Sequence, residues 1–524
     1  MPDSLPARCL RVAATGYVVG ATATLLTQFV LPLFFDSLLQ LQLLPGLAAL
    51  VGGIVGAFLA RPVQVRGLRR LTALGLAILL PMLLFAAHSG QREWKVSPQI
   101  LMVALDGTSW NVLDPLVDAG ELPTIADFKD NGTSGTLTSF EPTYSPIIWT
   151  SIATGQPPSV HGISSFYPSQ EQLRSKRIWD VLADQGRTVG VFRWWVTWPP
   201  RPVPGFMVPG LLARDPSTVP QEVEFVNRLR LQSKAGADIG LLQMLDYGWR
   251  YLRVGMSLSI SREIVLELVR ARQSRDPVFF HVAQRRAEVR LNATVFGYLM
   301  RRDDPDFAAF YDNGIDVLAH SYWRFYEPAL FEDIDPADVE RYGSLLPDYV
   351  RLVDRVVGEL RTHLSEQSTT LLLSDHGVKA GPESSVTRLN PRTETILDDL
   401  GTGSDYDSVN LAARNTIESI KVDDVARSHR LEGVVMAQGP GIRAGTTIEG
   451  ASVMDIAPTV LYASGAPVAD DLSGKILSEL FSAEFLASHP VRRVPSYGGL
   501  EGSESDLKTY DETTETLRST GYLD

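Results

Sequence analysis

Six side chains of the types that bind metal ions stand close to the ends of short apolar runs in this sequence. Each run has the composition of a buried strand, because it is short, uncharged and bounded by turn residues. The six residues are Asp106, Asp316, His320, Asp375, His376 and His429. Strands of an open α/β sheet present such residues at one common edge, where ligands bind. Carboxylates with imidazoles form the ligand set that Zn²⁺ takes when thiolates are absent, so the pattern predicts a metal centre.

The spacing of these residues indicates how they are presented. Asp316 and His320 are four positions apart, so a single helical turn directs both towards one point. Asp375 and His376 are adjacent and diverge in an extended chain. They reach different metal ions if a turn reorients them, or they bind one ion together.

A hydroxyl-rich stretch between the first two of these sites offers candidate nucleophiles. It reads Ser145-Pro-Ile-Ile-Trp-Thr-Ser-Ile-Ala-Thr-Gly155, and it predicts a helix that begins at Ser145. Backbone amides at a helix N-terminus suit an anion such as a phosphoryl group. Ser145 and Thr150 are both candidates for the attacking hydroxyl.

Taken together, these stretches resemble the alkaline phosphatase superfamily, in its type I phosphodiesterase / nucleotide pyrophosphatase branch. That branch opens with a strand that ends in Asp-Gly, here Asp106-Gly107. It then places a Ser or Thr nucleophile ten residues before the glycine of a Thr-Gly pair, followed by a His-Gly turn, here His161-Gly162. Counting back from Gly155 selects Ser145 over Thr150. The resemblance extends from about Gln99 to the C-terminus.

The resemblance implies two divalent metal ions and a covalent mechanism. The family's pattern assigns the first metal ion to Asp106, Ser145, Asp375 and His376, and the second to Asp316, His320 and His429. Two such cations clamp an in-line displacement at phosphorus, and metal coordination activates a serine hydroxyl. A phosphoseryl intermediate, then hydrolysed by water, is the expected course, and Zn²⁺ is the preferred metal.

These residues predict a metal-dependent phosphodiesterase or phosphohydrolase acting on a phosphate ester, with a lipid-linked ester as one candidate. Phe166 stands where nucleotide-cleaving relatives place a phosphate-contacting asparagine, which argues against nucleotide substrates. A transferase that moves a phosphoryl-alcohol headgroup to an alcohol acceptor would use the same serine. A sulfatase is disfavoured, since Pro-Ile-Ile-Trp follows Ser145 instead of the C/S-x-P/A-x-R setting. A non-catalytic scaffold is disfavoured because no ligand is missing.

Two further motifs invite a functional interpretation. The run Trp194-Trp195-Val-Thr-Trp198-Pro-Pro predicts either an aromatic substrate wall or packing at the sheet edge, and packing is favoured. His161, beside Gly162, is predicted to be a structural turn residue.

Alternating strand and helix patterns after the first hundred residues predict an α/β fold, a three-layer α/β/α core with a mostly parallel central sheet. The predicted boundaries are 1–90 for a membrane domain, 97–212 and 305–490 for the two parts of the catalytic domain, 213–304 for a helical insert or cap, and 491–524 for a polar tail. The insert is rich in arginine, which indicates a solvated face or a face towards anionic lipid headgroups; the solvated face is favoured.

Three apolar segments without charge precede the catalytic region: Val12–Phe35, Leu41–Ala60 and Leu71–Ala87. A membrane-spanning helix needs about 20 such residues, so three transmembrane helices are expected. Arginines crowd the loop between the second and third segments, from Arg61 to Arg70. The positive-inside rule then predicts a multi-pass protein of the cell membrane whose catalytic domain is extracytoplasmic.

Composition excludes some classes of partner. The chain has 524 residues and a formal net charge of −13, so we expect no nucleic-acid binding, which depends on Lys and Arg. Cys9 is the single cysteine. A disulfide framework and a thiolate metal site are therefore both excluded.

Overall fold

A computed structural model describes residues 95–500, apart from 166, 167, 169, 235–238, 332, 333 and 381–428. The three apolar segments predicted to span a membrane, Phe166 and most of the predicted tail lie outside these residues. No helix among the described residues is both long enough and apolar enough to cross a bilayer.

Twelve strands and fourteen α-helices make up the described part of the chain. The strands are β1 (Ile100–Leu105), β2 (Thr133–Thr138), β3 (Val189–Phe192), β4 (Gly205–Val208), β5 (Phe307–Asp312), β6 (Thr369–Leu373), β7 (Gly377–Val378), β8 (His429–Arg430), β9 (Glu432–Gln438), β10 (Thr446–Ser452), β11 (Val468–Ala469) and β12 (Arg493–Val494). The helices are α1 (Trp110–Asp118), α2 (Pro123–Asn131), α3 (Ser145–Thr154), α4 (Pro158–His161), α5 (Ile178–Asp184), α6 (Glu224–Lys234), α7 (Leu241–Arg253), α8 (Leu258–Gln273), α9 (Pro277–Asp303), α10 (Gly314–Tyr326), α11 (Pro336–Tyr342), α12 (Leu345–Thr362), α13 (Ile456–Ala463) and α14 (Ala483–Ser488).

Eight of these strands form one sheet in the order β10-β2-β9-β6-β1-β5-β3-β4. Strand β9 runs antiparallel to both of its neighbours, β2 and β6, while the other pairings are parallel. The predicted α/β class with a mostly parallel central sheet is thereby confirmed. The small pairs β7–β8 and β11–β12 lie outside this sheet.

The central strand β1 is buried along its whole length, and its two faces meet different layers. Ile100, Met102 and Ala104 pack with side chains of α3, α5 and α13 in one apolar cluster. Leu101 and Val103, which point the other way because side chains alternate along a strand, are equally buried outside that cluster. Helices therefore cover both faces of the sheet, and its edges remain for function.

The apolar residues Leu113, Leu116, Leu122 and Phe128 predict a single helix from Asn111 to Asn131, but the structure forms two helices there. Helix α1 ends at Asp118 and α2 begins at Pro123, because Gly120 adopts a positive φ of 74° and proline favours the first turn of a new helix. Strands β2, β4 and β10 were not predicted either. Strand β2, Thr-Ser-Gly-Thr-Leu-Thr, lacks the apolar run that identifies a buried strand.

Helices α6 to α9 occupy the region predicted as an insert. Among seven arginines in this region, all but Arg230 are exposed; the seven are Arg228, Arg230, Arg250, Arg253, Arg262, Arg270 and Arg272. Arg230 instead donates to the carbonyls of Leu211 and Ala213. This distribution fits a solvated face. Helix α9 also lies on the sheet, where Phe296 packs against Phe192 and Phe310.

Candidate active site

The first site residue, Asp106, lies where β1 leaves the sheet, and Gly107 makes the turn that follows. Gly107 has φ of 67°, a left-handed conformation that favours glycine. A Cβ at this position would lie 2.8 Å from Cβ of Asp316. Glycine is therefore required at position 107 for two reasons, the left-handed turn and the close approach of Asp316.

The neighbouring strand β5 leads into α10, which carries Asp316 and His320. These residues lie one turn apart on the helix, as the spacing predicted, with 3.2 Å between Asp316 Oδ1 and His320 Nε2. The helix begins at Gly314. Side chains four positions apart on a helix lie on the same face, so both groups are presented together at the end of the sheet.

The remaining three residues come from the other side of β1. Asp375 and His376 follow β6, and His429 lies shortly before β9. Because β9 runs antiparallel to β6, the start of β9 lies at the edge where β6 ends. A residue that precedes its strand thus reaches the same edge as residues that follow theirs.

The six side chains converge into two adjoining groups. In the first, His376 Nε2 lies 3.5 Å from Asp106 Oδ1 and 3.3 Å from Asp375 Oδ2. In the second, His429 Nε2 lies 3.6 Å from Asp316 Oδ1 and 2.9 Å from His320 Nε2. The rings of His376 and His429 stack at 3.6 Å between centroids, which joins the groups. The sequence-predicted sets therefore recur as spatial neighbours, with His376 beside both.

Ser145 begins helix α3 and is 6% exposed. Residues on both sides of it contact the metal-ligand candidates. Two positions earlier, the carbonyl of Thr143 accepts a hydrogen bond from His429 Nδ1 at 2.9 Å. One helical turn later, Trp149 Nε1 donates to Asp106 Oδ2 at 3.1 Å. The segment that contains Ser145 is thus in contact with both groups through Thr143 and Trp149.

Thr150, the rival nucleophile, is committed to its own helix. Its hydroxyl donates to the Pro146 carbonyl at 2.6 Å and it is 2% exposed. The backbone amides in the first turn of α3 are also less available to an anion than the Ser145 motif predicted. Pro146 has no N–H, and the amides of Ile147 and Ile148 both donate to the Tyr144 carbonyl.

Burial and mutual repulsion set the protonation of the carboxylates. Burial, with the charge of Asp316 added, raises the pKa of Asp106 to about 7. Burial also raises the pKa of Asp375 well above its usual value, and Asp106 adds to the effect. Burial opposes ionisation of Asp316 too, but His320 and His429 outweigh it and hold that pKa well below the ordinary value.

Burial and hydrogen bonds also determine the charge of His376 and the orientation of His376 and His429. Burial, reinforced by His429, lowers the pKa of His376 well below its usual value, so this ring is neutral. Its Nδ1 lies 3.2 Å from the Gly377 carbonyl. Since a carbonyl only accepts, Nδ1 carries the proton, and the lone pair of Nε2 points into the site. His429 is oriented by Thr143 in the same manner.

The residues fit a pair of divalent cations. Among the six candidate ligands, four atoms are buried without a hydrogen bond: Asp106 Oδ1, Asp316 Oδ1, Asp375 Oδ2 and His376 Nε2. Such orphaned atoms are rare in native interiors. Three of the four belong to carboxylates that would otherwise repel one another. Two candidate metal-binding groups, Asp106-Asp375-His376 and Asp316-His376-His429, contain all four.

The remaining motifs are structural. His161 is fully buried, its Nε2 contacts the Ser151 hydroxyl at 3.0 Å, and its Nδ1 accepts from the amide of Ile163. Trp194 is fully buried and packs edge-on against Trp149. These contacts agree with the packing interpretation of the tryptophan run.

Sequence reasoning missed the residues that hold the ligands, namely Thr143, Trp149 and Tyr311. Trp149 stands inside the serine motif, one turn after Ser145, and that spacing was the available signal. Tyr311 looked like the end of an apolar strand. Its hydroxyl donates to Asp106 Oδ2, a contact that only the neighbouring positions of β1 and β5 create.

The part of the chain that contains the candidate site matches a known family. A family model described as type I phosphodiesterase / nucleotide pyrophosphatase matches residues 100–437. Among solved structures, an inactive variant of murine ectonucleotide pyrophosphatase / phosphodiesterase 5 in complex with AMP is similar, with 14% identity and a TM-score of 0.40. The match covers 74% of this chain and 100% of that chain. No curated protein matches.

Proposed function

Because the chain belongs to the type I phosphodiesterase / nucleotide pyrophosphatase family, and is therefore a hydrolase acting on phosphate esters, we propose that it cleaves phosphodiesters with Ser145 as nucleophile. The convergence of three carboxylates and three imidazoles around four buried atoms without hydrogen bonds supports this proposal most strongly. The side chains of Asp106, Asp375 and His376 would hold one divalent cation together with Ser145. Asp316, His320 and His429 would hold the other.

When bound, the two cations supply positive charge that activates the serine hydroxyl and stabilises the oxygens of the displacement. Ser145 Oγ forms a bond to phosphorus while the bond to the leaving alcohol breaks. Water then cleaves the phosphoseryl ester and releases the phosphate monoester. Asp316 and His320, at 15% and 14% side-chain exposure, are the most open ligands. Leaving group and water are therefore expected to pass on their side of the centre.

The choice of serine over threonine rests on position. In the chain, Ser145 lies between Thr143 and Trp149, which both contact candidate ligands, whereas the Thr150 hydroxyl is bonded inside its helix. Zinc is the proposed metal, since imidazole and carboxylate without thiolate suit it. A lipid-linked diester is the proposed substrate class, because the apolar segments before residue 90 predict that the domain is held at a membrane, outside the cytoplasm.

The test uses the full-length protein in detergent with two chromogenic esters, bis-p-nitrophenyl phosphate and p-nitrophenyl phosphate. We expect preferential cleavage of the diester, loss of activity with a chelator, and restoration with Zn²⁺. Preference for the monoester would contradict the diesterase assignment. Product that forms only when an alcohol acceptor is added would instead identify a transferase.

A further inference from the structure

We infer that Trp149 and Tyr311 are positioning residues that fix the Asp106 carboxylate, and with it the helix of Ser145, in the orientation the metal centre needs. This inference rests on the proposed function, since it concerns the same two cations. It assigns a role to two residues that touch neither substrate nor metal.

The two oxygens of Asp106 are used differently. Oδ2 accepts from Trp149 Nε1 at 3.1 Å and from the Tyr311 hydroxyl. Oδ1 makes no hydrogen bond and faces His376 Nε2 at 3.5 Å. Two donors on one oxygen leave the other as the metal-facing atom. Outer contacts of this kind orient ligands and tune their affinity.

The donors are themselves fixed in direction. Trp195 Nε1 donates to the Tyr311 hydroxyl at 2.7 Å. An indole N–H can only donate and a carboxylate can only accept, so the tyrosine proton points to Asp106. The rings of Trp149 and Tyr311 meet edge to face with centroids 5.3 Å apart, and all of these side chains are buried. Rotation of the carboxylate would therefore break two hydrogen bonds in a dry interior.

Trp149 also couples the ligand to the nucleophile. It lies four positions after Ser145 in α3, hence on the same side of the helix. Its indole thus fixes the rotation and height of α3 relative to the end of β1. Tyr311 lies on β5, five positions before Asp316, and its hydroxyl is bonded to Asp106 and Trp195, neither of which lies on α3. Loss of Tyr311's hydroxyl should weaken metal binding alone, while loss of Trp149's N–H should also misplace Ser145.

The test compares phenylalanine variants, which keep an aromatic ring, in the full-length protein. Tyr311→Phe and Trp149→Phe are stripped of metal, and Zn²⁺ affinity is then measured by competition with a chelating dye. Tyr349→Phe is the matched control. Its hydroxyl donates to buried Asp312 Oδ2 at 3.0 Å, the same chemistry directed at an aspartate that is no ligand. Trp195→Phe, which removes the hydrogen bond to the Tyr311 hydroxyl and should weaken the same zinc site to a smaller extent, serves if either main variant does not fold.

We expect Tyr311→Phe and Trp149→Phe to weaken one of the two zinc sites by roughly 10- to 100-fold, and Tyr349→Phe to leave both unchanged. With excess Zn²⁺, kcat should recover in Tyr311→Phe but stay low in Trp149→Phe. Unchanged zinc affinity in both variants, or an equal loss in Tyr349→Phe, would overturn the inference and leave packing as their role. Asp106→Asn distinguishes a failure of this inference from a failure of the proposed function. If it still binds two zinc ions, the proposed centre itself is wrong.

Discussion

At the scale of single residues, burial and the charges of neighbouring carboxylates disfavour ionisation of Asp106 and Asp375. The pKa of Asp106 is raised to about 7, and that of Asp375 is raised further by the charge of Asp106. A divalent cation reverses this preference, because it favours the ionised form of each ligand. Metal binding should therefore release protons, and metal affinity should rise with pH through neutrality.

The first prediction concerns ligand removal. Asp316→Asn and His429→Ala should each lower bound zinc from two equivalents towards one, since a site that lacks a ligand binds far more weakly. Elemental analysis of the purified variants measures this. His489→Ala is the control, because His489 is exposed and stacks on Phe485 away from the centre. Two full equivalents in both ligand variants would refute the assignment of the second group.

The second prediction concerns the nucleophile. Ser145→Ala should keep its fold and both zinc ions yet lose nearly all turnover, because the metal ions alone do not form the covalent bond. Thr150→Ala, which removes a hydroxyl bonded within the helix, should keep most of the activity. Acid quenching during turnover and mass spectrometry should find the phosphoryl group on Ser145. A phosphoryl group on Thr150 would show the nucleophile to be misassigned.

The candidate ligands could be recognised from the sequence, because residue type and strand-end position are local properties. The residues that hold them could not. The candidate ligands are hydrogen-bonded by residues far away in the chain, namely Thr143, Trp149 and Tyr311. Those contacts depend on strand order and on the packing between helix and sheet. Neither quantity is encoded in a short motif.

At the scale of elements, the turn at Gly107 allows Asp316, a candidate ligand of the second group, to lie close to the end of β1. Gly107→Ala should bring two penalties, a left-handed φ that costs roughly 1–2 kcal/mol and a Cβ that meets Asp316. We expect weaker zinc binding at the second group although no ligand is lost. Gly120→Ala is the matched control, since Gly120 has φ of 74° and open space around it. Thermal denaturation should show a larger loss of stability in Gly107→Ala than in Gly120→Ala, and a zinc titration should show weaker binding in Gly107→Ala alone. Equal zinc affinity would contradict the role of the close approach.

Helix α9 is tied to the end of β3 by a charge pair between Arg193 and Glu288. Arg193 Nη1 lies 2.5 Å from Glu288 Oε1, with side chains 5% and 21% exposed. Burial opposes the charge of Glu288, but Arg193 and Arg285 outweigh it and lower its pKa to about 2. A depressed acidic pKa contributes stability above the ordinary value near 4.5 and loses it as the pH falls towards 2.

Glu288→Gln should therefore cost about 2–3 kcal/mol of unfolding free energy at neutral pH, because it leaves Arg193 buried without its counter-charge. The difference from the unmodified protein should shrink as the pH falls from about 5 to 2. Chemical denaturation at several pH values measures both effects. Glu263→Gln, at an exposed carboxylate 3.4 Å from Arg290, should change stability little. A difference that grows in acid would contradict the argument.

Elements with strong local patterns were predicted well, and those defined by neighbours were not. The buried strands β1, β5 and β6 and the start of α3 at Ser145 follow from apolar runs and turn residues. The direction of β9 does not, because parallel and antiparallel strands can share one composition. Strand β2 escaped prediction because its Gly135 packs closely under Ile448 of β10, where a larger apolar side chain would not fit.

At the scale of the whole molecule, the prediction is one of orientation. A reporter that is active only outside the cytoplasm, fused after Asp524, should be active, because the arginines from Arg61 to Arg70 favour the cytoplasmic side. Replacing these arginines with glutamine should reduce that activity by reversing part of the population. A reporter that works only in the cytoplasm, when fused at the same position, would place the catalytic domain inside.

The sheet order also fixes when, during synthesis, the centre comes into being. Strand β2 and the Ser145 helix that follows it are made early, yet β2 pairs only with β9 and β10 among the described strands. Neither partner exists until residues 432–452 have been polymerised. During synthesis, β2, the strand that precedes the Ser145 helix, therefore has no partner in the sheet until the last fifth of the chain has been made. Zinc binding and hydrolysis are therefore expected to begin only once translation is nearly complete. A nascent chain still on the ribosome should have no hydrolytic activity.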